Sequence, residues 1–347
     1  MMPEEWPIAA ASRERSLPAR GGTRGRLSTV RVDFFLEPGE RLTEQERALM
    51  TAMLHCLIGD IAGEIRVALP SGWVGANDDD TATVQALTGA GLLDDAALIA
   101  LLLRRADEER IGMAARARSG SRDARVLQGL VSHEQAGVSA AAMALILARG
   151  RRRDRFGQCL AGFDDLSRET ADRLVNAVAA ALRRDVAAAH GPAAADRELS
   201  SAAARLLARH DPSRSVEALT ATLVALLDSA GNLSDELLLA CANEGEVGFL
   251  SEALARRSGV PDNVALDELL SRQPDRVMAL LRAAGFSRDL SAGLLASIGD
   301  LLGIADPGAA IGVFDAMTPD EIQASAVRLA AAQAYRAALE RLGGADG

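Results

Sequence analysis

Lysine is absent from this chain, and aromatic side chains are scarce: seven Phe, two Trp and one Tyr make up 3% of 347 residues. All 38 positive charges are therefore arginine, and 48 acidic residues outweigh them to leave a net charge of −10. An acidic, aromatic-poor chain has neither the cationic field nor the stacking platforms that nucleic-acid binding uses, which argues against nucleic acid as a partner. Only three cysteines occur, Cys56, Cys159 and Cys241, and they lie far apart. That spacing disfavours a disulfide framework and fits a reducing, cytoplasmic setting. The N-terminus lacks a signal-peptide core, and no window reaches the roughly 20 uninterrupted apolar residues of a membrane span. A sheet is disfavoured too, because alanine and leucine, rather than β-branched or aromatic residues, supply most of the 49% apolar content.

What is present is helix after capped helix. Ala171, Leu174, Val175, Val178, Ala181 and Leu182 recur at three- and four-residue steps and share one face of a helix. Ser167 stands at its N-cap position, where a hydroxyl can satisfy an orphaned backbone N–H. A similar unit returns at Ser287, followed by Leu294, Leu295, Ile298 and Leu302. Thr43 and Glu46 have capping-box spacing at the start of a helix over 43–69, which Pro70 and Gly72 end. Its stripe of Met50, Leu54, Leu57, Ile58, Ile61 and Ile65 predicts either a homodimer seam or a helix lying on its own domain. Thr318-Pro319-Asp320-Glu321 opens the last helix with a second capping box and Pro at its first position.

These signals predict an all-α fold: short antiparallel helices stacked in two loosely related halves. Residues 1–29, with scattered Pro, Gly and Arg, read as a disordered tail. Residues 30–36 form an extended segment with no strand to pair with. Helices are expected over 81–89, 93–103, 108–117, 123–131 and 138–148, with Gly89, Gly91, Gly120, Gly137 and Gly150 as turns or caps. An N-terminal helical domain over 30–189, a linker at 190–198 around Gly191-Pro192 and a C-terminal helical domain over 199–347 complete the division. The C-terminal helices are expected over 199–209, 215–228, 235–242, 247–257, 263–270, 275–283, 287–302 and 318–342. The run at Leu233 echoes the one at Leu93, as Ser287 echoes Ser167, although the two echoes have different offsets.

Few residues suggest chemistry. His133-Glu134 pairs a histidine with an acid, as phosphotransfer modules do on helical bundles; an ordinary turn histidine is the alternative. His55 and Cys56 are adjacent on a helix and point about 100° apart, which defeats joint metal ligation. His190 and His210 lack partners at ligand spacing. Asp78-Asp79-Asp80 lacks the alternating ligands and terminal Glu of a calcium loop and reads as a helix-capping loop. No phosphate loop or nucleophile elbow is present. Neither a metal nor an organic cofactor is expected. Arg149, Arg151, Arg152, Arg153 and Arg155 are the densest positive cluster. They complement the negative end of the helix before them, or form a docking patch for an acidic or phosphorylated protein. Trp73 either anchors a partner or covers a helix end.

Three stretches carry a resemblance: the run from Gly137-Val138-Ser139-Ala140 to Arg153-Asp154-Arg155-Phe156-Gly157, the 42–50 segment beginning Leu42-Thr43-Glu44, and the helix at Asp165-Leu166. They resemble an uncharacterised bacterial family, common in α-proteobacteria and known as a domain of unknown function, over about residues 30–342. The resemblance implies an all-helical fold with HEAT-like repeats and transfers no catalytic residue. Stacked arrays of this kind commonly hold proteins. The expected function is thus a non-catalytic cytoplasmic scaffold or adaptor for a protein partner, in bacterial signalling or regulation. Phosphotransfer through His133, an enzyme site assembled only in three dimensions, and nucleic-acid binding through the arginine cluster are the alternatives.

Overall fold

The computed structural model describes residues 42–73, 80–119 and 125–332, with 335–336, 338–339 and 342. The tail and the extended segment expected before residue 42 lie outside these, as do Asp78 and Asp79. The described residues form fifteen α-helices and no strand, so the protein is all-α. The chain folds into two compact units, Met1–Asp107 with Ala148–Ala218, and Glu108–Leu147 with Leu219–Gly347.

The first unit holds α1 (Glu44–Ala68), α2 (Thr81–Ala90), the start of α3 (Ala96–Ser119), α6 (Arg168–His190) and α7 (Pro192–Leu207). Thr43 caps α1 with the expected box: its hydroxyl accepts from Glu46 N–H at 3.1 Å, and the Glu46 carboxylate accepts from Thr43 N–H at 2.8 Å. The α1 stripe is spent inside this unit. Met53, Leu57, Ile58, Ile61 and Ile65 are buried in one core with Val84 and Leu87 of α2, Leu174, Val175 and Val178 of α6, and Ala202 and Leu206 of α7. Of the two expectations for this stripe, a helix lying on its own domain is what the described residues show, with Leu54 half-buried at the edge of that core. Helix α1 is also the one described helix long and apolar enough to cross a membrane by length and composition, despite Asp60, Glu64 and Arg66 along it. Alanine and methionine between the large aliphatic residues raise its mean hydropathy, while Asp60 and Glu64 keep it from being an uninterrupted apolar run.

Gly191-Pro192 is a tight turn within this unit, in place of the linker expected at 190–198. Gly191 takes φ +83°, closed to most L-residues, and Pro192 occupies the first position of α7. Helices α6 and α7 fold back on each other across it. A Gly-Pro pair marks a chain reversal, and burial of Leu199, Ala202 and Leu206 makes this one a helical hairpin.

The second unit contains the end of α3, α4 (Arg125–Val131), most of α5 (Ala136–Arg151) and α8 (Val216–Ser229), then α9 (Asp235–Glu244), α10 (Val247–Ser258), α11 (Asp262–Leu269), α12 (Pro274–Ala283), α13 (Arg288–Ile298), α14 (Pro307–Ala316) and α15 (Pro319–Ala330). Helix α10 packs on α11, α9 on α13, and α12 on both α14 and α15. Phe249, Leu250, Leu254, Val277, Met278, Leu281, Leu294 and Leu295 are buried among them. The helices expected over 93–103 and 108–117 are one, because Arg104, Arg105, Ala106 and Asp107 between them include neither Gly nor Pro. Gly137 and Gly150 lie inside α5, and Gly89 inside α2, so these three do not act as stops. The closing helix ends at Ala330, earlier than expected, since Ala331 is extended. Residues 335–336 resume helical geometry beyond it.

Candidate functional site

The arginine cluster ends α5 and continues into a small hairpin. Arg153 and Cys159 form an antiparallel bridge, and Leu160 N–H donates to Arg152 O at 2.8 Å. Asp154 builds the tip: one carboxylate oxygen accepts from Phe156 N–H and from Gln158 N–H, both at 2.8 Å. Such short polar side chains nucleate turns by standing in for a backbone acceptor. Gly157 closes the turn at φ +81°. The tip presents Phe156 at 76% exposure, with the Arg155 guanidinium carbon 4.7 Å from its ring centroid. That is cation–π geometry.

The five arginines do not act as one patch. Arg149 and Arg151 lie in the last turn of α5, where they complement its negative end. Arg153 donates to Gly157 O at 2.7 Å and stiffens the hairpin. Arg152 turns inward to Asp165, whose side chain is fully buried, and makes a fork of two 2.9 Å bonds to its two oxygens. The docking patch expected to include Arg152 is therefore corrected. A bidentate bond to a buried carboxylate outweighs hydration at the surface for that one residue.

Asp165 is engaged from several sides. It also accepts from Gly162 N–H at 2.8 Å and Val216 N–H at 3.2 Å, and Arg105 lies 3.8 Å away. Arg105 in turn pairs with Glu217 at 2.8 Å. Burial pushes the Asp165 carboxyl up, but the Arg152 hydrogen bond, the charges of Arg105 and Arg152 and the Gly162 N–H together outweigh it, and the acid sits below the usual carboxylate range. Gly162 matters for a steric reason: a Cβ there would overlap the Arg152 guanidinium. Buried His210 braces the same loop. Its Nε2 lies 3.1 Å from Leu166 O, which fixes the proton on that nitrogen, and its ring meets Phe163 edge-on at 4.9 Å.

The other sequence candidates have structural partners. Trp73 stacks on His190 with centroids 4.2 Å apart and rings 9° from parallel, covering the end of α6. That is the helix-end cover of the two expectations, with one ring face occupied by His190. His133 accepts at Nδ1 from Gln135 N–H at 3.1 Å, so its proton belongs on Nε2, 3.0 Å from the Asn232 side-chain amide. Asp80 bonds Arg66 at 2.7 Å. Among the described residues no three His, Cys, Asp or Glu side chains group as metal ligands.

Sequence reasoning missed Asp154, Phe156, Gly162 and Asp165. Asp154-Arg155-Phe156-Gly157 carries a readable turn signal, an Asx residue three positions before a glycine. Asp165 carries none, since only the fold brings residues 105, 152 and 217 to it.

The family model described as an uncharacterised protein conserved in bacteria, DUF2336, matches residues 85–326, well over half of the chain. The chain belongs to this family. The DUF2336 match takes in the arginine hairpin, Asp165 and the His133–Asn232 tie, and leaves out α1 and Trp73. No curated protein and no solved structure matches the chain.

Proposed function

We propose that this DUF2336 protein is a non-catalytic, HEAT-like helical adaptor that docks an acidic protein surface on the tip of the 152–160 hairpin. The observation that carries the reading is Phe156: a large apolar side chain, 76% exposed, under the Arg155 guanidinium. The turn presenting it is held from beneath by the Arg152–Asp165 bond. Aromatic and arginine side chains dominate binding hot spots, and a rigid turn loses little entropy when it docks. Arg151 and Arg155 supply charge for a carboxylate-rich partner. The three cysteines are free thiols, which suits a reducing cytoplasm.

Affinity capture from native cytosol tests it, comparing the wild-type chain with a Phe156→Ala/Arg155→Ala variant. Wild type should retain an acidic protein in stoichiometric amount, less so as salt rises. The variant, unchanged in circular dichroism, should bind it at least about 30-fold more weakly, a hot-spot-sized loss. Equal retention by both proteins would remove the hairpin from the reading.

A further inference from the structure

Helix α15 shows solvent a face that does not look like a solvated one. Its buried side is thin: Leu329 alone is fully buried. The opposite face carries Asp320, Gln323, Ala324, Val327, Arg328 and Ala331, which with Tyr335 and Leu339 line an open groove of about 600 Å³. Val327 is 62% exposed, Tyr335 59% and Leu339 38%. The extended backbone at Ala331 creates this groove, because it interrupts the helix before Tyr335.

Several features make the groove complementary to itself. Asp320 and Arg328 stand eight residues apart on one face, about 12 Å along the helix. Neither side chain has an ion-pair partner among the described residues. Ala324 lies midway between them. An antiparallel copy of α15 crossing at Ala324 sets residue 320 of each helix against residue 328 of the other. Opposite charges then meet twice, and small alanines meet at the crossing where backbones must come close. A parallel copy in register would oppose like charges.

We infer that this groove binds a second copy of the same chain. The two α15 helices pair antiparallel about a two-fold axis through Ala324, and reciprocal Asp320–Arg328 ion pairs set the register. The contact is isologous and closes at a dimer. Its surface is distinct from the Phe156 hairpin, so neither proposal depends on the other.

Charge exchange tests this in the full-length protein, with sedimentation equilibrium up to about 1 mM chain, the weak limit for a small interface. Wild type should be a monomer–dimer system. Asp320→Arg alone and Arg328→Asp alone should each weaken association at least about tenfold, because two like-charged contacts replace two attractive ones. Mixed in equal amounts, the two variants should associate again, since one chain's residues 320 and 328 are then both cationic and the other's both anionic. Both positions are exposed, so far-UV circular dichroism should not change; Val327→Asp provides a further disruption independent of the charges. A wild-type monomer at 1 mM overturns the inference. So does a dimer indifferent to the single changes, or a mixture that fails to restore association.

Discussion

Asp165 shows how one side chain can carry the cohesion of a loop. Its carboxylate is fully buried, bonded twice by Arg152 and once each by the Gly162 and Val216 N–H groups. Removing one partner of such a pair leaves a buried charge uncompensated, which costs about 3–5 kcal/mol. Asp165→Asn should therefore lower the urea-unfolding free energy by roughly that amount. The pH dependence has a definite sign. With its folded pKa below the unfolded one, Asp165 contributes stability that is complete above the ordinary carboxylate pKa and is lost as pH falls through the folded value. Unfolding titrations from about pH 5 down to pH 2 should show a steeper loss in wild type than in Asp165→Asn. Gly162→Ala should act indirectly by displacing the Arg152 guanidinium. The expected signature is destabilisation that is much reduced in an Arg152→Ala background, measured as a double-mutant cycle.

At the scale of elements, the caps are the most legible part of the chain. Thr43, Ser167, Ser287 and Thr318 each accept a backbone N–H at the start of the helix expected from their spacing. Ser167→Ala should cost about 1 kcal/mol in thermal or urea unfolding. Glycines are harder to assign from sequence. Gly137 lies in the first turn of α5, where a helix tolerates it, whereas Gly245 has two separate requirements. It ends α9 at φ +70°, and a Cβ there would come within 3 Å of Ala115 Cβ and Ile111 O on α3. Gly245→Ala should destabilise by about 2 kcal/mol or more, opposite in sign to the gain of about 1 kcal/mol that the same change gives at an ordinary mid-helix glycine, because strain and overlap add. Calorimetry on the variant measures the difference. The approach of α3, more than a hundred residues earlier, is invisible in the linear sequence.

For the molecule as a whole, the division into units follows packing rather than chain order. The first unit takes residues up to 107 and from 148 to 218, and the second takes the rest. The linker expected at 190–198 would instead split the α6–α7 hairpin. A fragment beginning at residue 199 leaves Leu174, Val175 and Val178 without Leu199, Ala202 and Leu206. Fragments 42–190 and 199–347 made separately should show broad, weakly cooperative melts, in contrast with the full chain, and calorimetry distinguishes the two. Composition shifts mark a boundary only when domains are contiguous in sequence, and here they are not.

By itself the sequence determined the fold class and the start of most helices, because caps, periodicity and alanine-rich composition act within a few residues of one another. Only the tertiary structure decided where charge goes. It turned Arg152 inward to Asp165, tied His133 to Asn232, placed Trp73 on His190 and left Phe156 in solvent. Those outcomes depend on which distant groups are brought within about 3 Å, and hydrogen-bond energies fall away too steeply with distance for local pattern to encode them.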